Sequence, residues 1–118
     1  MKKVIFYSYP KCSTCRKASK WLDQHNINYR LIDIVKEPPL KNFLELALKQ
    51  FSFDKKKLFN TRGKSFQSLD FDINDLSNEK IIELLSNDGK LIKRPFLIIN
   101  ESKLILGFND SEYTSNLK

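Results

Sequence analysis

Residues 3–34 read KVIFYSYPKCSTCRKASKWLDQHNINYRLIDI, and the changes of pattern inside that stretch decide the fold. Residues 3–7 form a compact apolar and β-branched run that stops at Ser8-Tyr9-Pro10, which predicts a first strand ending in a loop. From Ser13 the repeat becomes helical. Cys15, Ala18, Ser19 and Leu22 share one stripe with Trp21 beside it, while Arg16, Lys17, Lys20 and Asp23 point outward. Asn26 closes that helix at about His25, and residues 27–34 return to the alternation of a strand. Strand, helix and strand make a βαβ unit, whose strands run parallel across a right-handed connection.

Further along, Pro38-Pro39 ends the second strand and suits the first turn of a second helix. Leu40, Phe43, Leu44, Ala47 and Leu48 recur there at helical spacing through Gln50. A shorter helical turn is expected over residues 54–59, a turn over 60–63, and a short helical or irregular piece over 66–71. Ser77, three residues before Lys80, opens another helix with Ile81, Ile82, Leu84 and Leu85 as its apolar face, and Asn87-Asp88-Gly89 stops it. Residues 96–99 and 103–106, joined by Asn100-Glu101-Ser102, read as a hairpin. Asn109 or Asp110 caps a last helix that ends near Leu117. The order β-α-β-α-α-α-β-β-α, without repeat or low-complexity stretch, predicts one α/β domain over residues 1–118. Its core is an open four-stranded mixed sheet with helices on its faces.

The 118 residues are 41% hydrophobic and include nine Phe, four Tyr and one Trp, which is material for a real core and excludes a disordered tail. No apolar run approaches the roughly 18 residues of a membrane helix, and the first apolar run lacks a small-residue cleavage site. A cytoplasmic protein without membrane contact, monomeric by default, is the expectation. The net charge of +7 is scattered, apart from Lys55-Lys56-Lys57 and residues 90–94. No zinc finger, basic zipper or RNA-recognition motif accompanies it, so the charge reads as a solvated basic surface or as a site for an anionic partner, with no direct nucleic-acid binding expected. His25 is read as a cap at the end of the first helix, and Trp21 and the phenylalanines as core.

Two cysteines carry the chemistry, Cys12 and Cys15. A secreted disulfide framework uses more, and a structural zinc site needs four ligands where only His25 could join these two, so neither a metal nor a bound cofactor is expected. With Cys12 in the loop and Cys15 in the first helical turn, the pair shares a face at disulfide range. Free amide hydrogens and the positive end of the helix favour a thiolate on Cys12, and Lys11, Arg16 and Lys17 add positive charge. Cys12 is therefore the expected attacking thiol and Cys15 the resolving one. Thr14 sits between them, and Tyr9 flanks the loop as a candidate groove residue. Arg94-Pro95 is a second site candidate, because a proline opening an internal strand often marks a cis bond beside a site. Arg94 there could grip an oxyanion or stabilise the Cys12 thiolate, or be an ordinary surface arginine.

The stretch Tyr9-Pro10-Lys11-Cys12-Ser13-Thr14-Cys15-Arg16-Lys17-Ala18 and Lys93-Arg94-Pro95, with residues 59–63, 84–95 and 107–109, resemble one family over nearly the whole chain. It is the arsenate reductase-like (ArsC) branch of the thioredoxin fold, which includes the Spx and MgsR regulators. The resemblance implies a thioredoxin-like sheet with a helical insertion over about residues 39–88, and Pro95 as a cis-proline facing the cysteines. It implies three candidate functions. A small thiol–disulfide oxidoreductase would act on a thiol- or disulfide-bearing protein or small molecule. Cys12 would attack, Cys15 would resolve, and thioredoxin, glutathione or another low-molecular-weight thiol would restore the dithiol. A Spx-like regulator would use the pair as a redox switch and bind the RNA polymerase α subunit, although residues 49–54 lack the glycine those regulators place at that contact. An arsenate reductase would hold its oxyanion with three arginines, of which Arg94 alone has a counterpart here. Asn60 and Gly107 stand at the other two positions, with Arg62 two places away. Of the three, the redox protein is the reading these residues favour.

Overall fold

In the computed structural model, which describes residues 2–118, four strands form a single sheet. They are β1 (Val4–Ser8), β2 (Arg30–Asp33), β3 (Phe96–Ile99) and β4 (Lys103–Leu106), in the spatial order β2-β1-β3-β4. β2 runs parallel to β1, while β1 with β3 and β3 with β4 are antiparallel, which is the expected mixed sheet of the thioredoxin-like class. Helices α1 (Ser13–Gln24) and α5 (Asp110–Leu117) pack on one face, and α2 (Lys41–Gln50) and α4 (Asn78–Asn87) on the other. Between α2 and α4 lies α3 (Lys64–Gln67), a single turn.

The central strands are apolar throughout because both of their faces are covered. Val4, Phe6, Leu97 and Ile99 meet Ala18, Trp21, Leu22 and Tyr113 on one side. On the other, Ile5, Tyr7, Phe96 and Ile98 meet Phe43, Leu44, Ile81 and Leu85. The helices start where capping side chains allow. Ser77 Oγ accepts the Lys80 amide hydrogen at 3.1 Å, and Asn109 Oδ1 accepts that of Glu112 at 3.1 Å. Gln50, the last residue of α2, lies against β4. Its Nε2 donates to the Leu104 carbonyl at 2.6 Å and its Oε1 accepts the Leu104 amide at 2.8 Å.

Several boundaries differ from the sequence reading. The first strand runs one residue later, over Val4–Ser8. The second covers only Arg30–Asp33 rather than residues 27–34, because its one partner pairs with it from Ile5↔Arg30 to Ser8↔Asp33. Asn26 takes a left-handed φ of 56°, and the Ile27 amide folds back onto Leu22 O at 3.0 Å, which leaves residues 27–29 as a lead-in. Pro38-Pro39 precede α2 instead of filling its first turn. Pro39 keeps Pro38 extended, and Leu40 is extended as well (φ −62°, ψ 152°), so the helix begins at Lys41. The helical piece expected over 66–71 is found at Lys64–Gln67, directly after the turn ending at Gly63.

Gly89 allows the turn after α4 to touch the exit of β2. A Cβ at this position would stand 1.8 Å from the Ile34 carbonyl oxygen. Gly89→Ala is therefore expected to cost about 3 kcal/mol, since backbone on both sides must shift. The urea midpoint measures this, and a midpoint equal to wild type would contradict the contact.

Candidate dithiol site

Tyr7 pairs with Phe96, so the loop leaving β1 and the segment entering β3 share one end of the sheet. From β1 the chain turns through Tyr9-Pro10-Lys11, with the Cys12 amide donating to Tyr9 O at 3.0 Å. Cys12 then takes the N-cap of α1, with extended backbone (φ −94°, ψ 115°), and its Sγ accepts the Cys15 amide hydrogen at 3.2 Å. Serine, threonine, aspartate or asparagine usually fills this place. Here a sulfur receives the hydrogen bond where a helix concentrates free amide hydrogens and positive potential.

Both cysteines are free thiols, Cys12 half-buried and Cys15 only 1% exposed. Ser8 and Tyr9 line one cavity with Cys15. Burial above all, then the neighbouring Cys12, pushes the Cys15 thiol up to about 11, against a smaller opposing effect of Tyr9 and Ser8. Tyr113, from α5, is fully buried with no hydrogen-bond partner for its hydroxyl. Burial first and the nearby Cys15 second push its phenol up.

The two sulfurs open onto different cavities. Cys12 lines a groove of about 690 Å³ together with Thr14, Arg62, Lys93, Arg94 and Asn109. Cys15 lines one of about 800 Å³ with Ser8, Tyr9, Pro10, Arg16 and Leu31. The Arg94 guanidinium stacks over the Tyr9 ring, 5.0 Å from its centroid, and its Nη1 is buried without a partner. The Arg94–Pro95 peptide is cis. Pro95 itself is buried, and its carbonyl accepts the Gly107 amide at 2.9 Å.

The structure thus brings Cys12, Thr14 and Arg94 to one groove, whereas Tyr9 serves as the platform beneath Arg94 and faces the cavity of Cys15. Asn60 and Gly107, the residues at the other two arginine positions, line the Cys12 groove. Arg62 lines it too, although it stands two places off in sequence. Lys93 was not singled out as a site residue. Its sequence signals were the basic run at 90–94 and the Lys93-Arg94-Pro95 stretch of the resemblance, and it reaches the groove past Gly107, where a Cβ would stand 3.1 Å from Lys93 Cε. His25 ends α1 as read from sequence, with Nδ1 2.8 Å from Trp21 O and its ring stacked on Trp21 at 4.0 Å. Among the described residues no helix is long and apolar enough to cross a membrane.

The chain is similar to known proteins. The family model described as ArsC matches residues 7–116. Over 115 residues the chain is 40% identical to protein YusI of Bacillus subtilis, covering 96% of this chain and 97% of that one. It is 34% identical over 109 residues to the global transcriptional regulator Spx of Lactiplantibacillus plantarum, covering 92% and 82%. The crystal structure of a possible arsenate reductase from Streptococcus mutans is similar with a TM-score of 0.82 at 38% identity, covering 92% and 93%.

A thiol held more tightly protonated in the fold than in the open chain stabilises the fold fully below its ordinary value of 9.0. That contribution is lost as pH rises through about 11. The thermal midpoint of the reduced protein is therefore expected to fall over this interval more steeply than that of Cys15→Ala. Tyr7 and Tyr113, raised chiefly by burial, titrate in both proteins, and Cys15→Ala removes only the smaller, Cys15-dependent part of the Tyr113 shift. Parallel curves would show that burial of Cys15 is not what raises it.

Proposed function

The chain belongs to the ArsC family, and on that footing we propose that it is a small thiol–disulfide redox protein working through Cys12 and Cys15. The observation that carries this reading is the Cys12 sulfur at the cap of α1, accepting the amide hydrogen of Cys15, which brings a second free thiol three residues on. Cys12, as thiolate, attacks one sulfur of a disulfide R–S–S–R′ in the Arg94 groove, and R′S⁻ departs. Cys15 then loses its proton and attacks Cys12. The Cys12–Cys15 bond forms, the bond from Cys12 to R breaks, and RS⁻ leaves, so the pair has given up two electrons. Thioredoxin, glutathione or another low-molecular-weight thiol restores the dithiol in the reducing cytoplasm, with the protein acting as a monomer.

Arg62, Lys93 and Arg94 around Cys12 favour leaving thiolates and anionic substrates, with Glu112 the one acidic residue on that groove. Tyr9 holds Arg94 in place, Thr14 shapes the mouth of the groove, and Pro95 carries the segment that presents Arg94. A second reading, a redox-switched regulator binding the RNA polymerase α subunit, is favoured by the likeness to Spx. Against it stands the segment lacking the regulators' glycine. There Ser52 and Phe53 hold left-handed φ values of 56° and 61°, and the Phe53 side chain is 53% exposed.

Titrated against a glutathione series, the wild type is expected to show a reversible two-electron couple between roughly −200 and −300 mV, absent from Cys12→Ser and Cys15→Ser. Arg94→Ala is expected to slow attack on an anionic disulfide about tenfold. No disulfide at any poise would overturn the reading. Redox-dependent retention of the protein on the polymerase α subunit, without turnover, would move it to the regulator.

A further inference from the structure

We infer that the disulfide reduced at Cys12 is carried by an acidic polypeptide segment, whose carboxylates lie along a cationic track running from the Cys12 groove past Lys93 to Lys56 and Lys57. The inference rests on the dithiol reading and adds the class of substrate.

The Cys12 groove does not end at Lys93. A second cavity of about 310 Å³ shares Phe59, Lys93 and Leu106 with it and adds Lys56 and Lys57. Along the two cavities stand Lys56, Lys57, Arg62, Lys93 and Arg94, against Asp54 and Glu112. Among the described residues the ion pairs are Lys3 with Glu101 and Lys80 with Glu83, so none of these five cations is neutralised within the chain. The lysine run at 55–57 divides accordingly. Lys55 Nζ donates to the Leu76 carbonyl, while Lys56 and Lys57 remain on the cavity. Cations gathered in a cleft without counter-charges draw an anion of matching extent.

A small anionic disulfide seated at Cys12 meets Arg62, Lys93 and Arg94 and leaves Lys56 and Lys57 unused. A polypeptide reaches both sets, and the sheet has a place for its backbone. The Gly107 amide bonds inward to Pro95 O at 2.9 Å, and Gln50 takes the outward groups of Leu104. Inward and outward residues alternate along an antiparallel strand, so Leu106 turns its N–H and C=O outward, at a point that lines both cavities. An extended segment laid there pairs with Leu106, with Phe51 and Phe59 beside it, Arg94 toward Cys12, and Lys56 and Lys57 beyond.

The exchange keeps its balance. The Cys12–Cys15 pair gives up two electrons as its own bond forms and the substrate S–S bond breaks. Both substrate sulfurs leave as thiols, their protons drawn from the dithiol by way of solvent.

Two peptides test this, each with one cysteine in mixed disulfide with thionitrobenzoate, flanked by glutamates in one and by glutamines in the other. Release of the coloured thiolate by the reduced protein gives the rate. The wild type is expected to react about tenfold faster with the glutamate peptide at low salt, an advantage that falls below about twofold in about 1 M salt. The double variant Lys56→Gln/Lys57→Gln should cut the low-salt advantage at least about threefold. Equal rates on the two peptides overturn the inference. So does an advantage that the double variant retains in full, which would confine recognition to the Arg94 groove and fit a small anion. If the protein releases colour from neither peptide while dithiothreitol does so from both, Cys12 does not attack disulfides, and the dithiol reading fails together with the inference.

Discussion

The antiparallel pairing of Tyr7 with Phe96 determines where the chemistry can sit, because it sets the exit of β1 beside the entrance of β3. That pairing is held by burial on both sides of the sheet. A slip of one residue would send Val4 and Phe6 toward α2 and α4, and Ile5 and Tyr7 toward α1 and α5, exchanging two apolar sets of different shape. The edge-on contact of the Tyr7 and Phe96 rings, 5.8 Å between centroids, lies at the same end of the strands. Arg94 therefore reaches the Tyr9 ring, and Cys12 its groove, through a register that the core enforces and the site residues merely use.

Position along one helical turn gives two chemically identical side chains unlike surroundings. Cys12, at the cap, meets the open end of α1 and the cations of its groove. Cys15, three residues on, turns inward onto the stripe that continues through Ala18 and Leu22. The helix thus separates an accessible sulfur from a sheltered one while tying the first to the backbone amide of the second. The division of labour between them follows from the pitch of the helix and needs no special residue to impose it.

Much of this was legible in the chain. The change from strand to helical spacing at Ser13 marked the βαβ unit, Ser77 marked its helix start to the residue, and Asn109, one of two cap candidates for the last helix, proved to be the cap, since a cap is a local signal. The length of β2 was not legible. Its alternation continues beyond Arg30–Asp33, but pairing requires a neighbour, and β1 pairs with four of its residues only. Arg62 was read as standing two places off and Lys93 was not read as a groove residue for a similar reason: their approach to Cys12 is made by the fold of residues 59–63 and by space over Gly107, neither of which leaves a periodic trace.

The amide of Gln50 against Leu104 imitates a strand that is not there. It takes up both the hydrogen and the oxygen that β4 would offer to a newcomer at that point, so this side of the sheet presents a neighbour already seated. Beside β2, in contrast, Leu31 stands exposed. An edge strand with free backbone groups invites another chain, and Gln50 removes that invitation at Leu104, in the middle of β4.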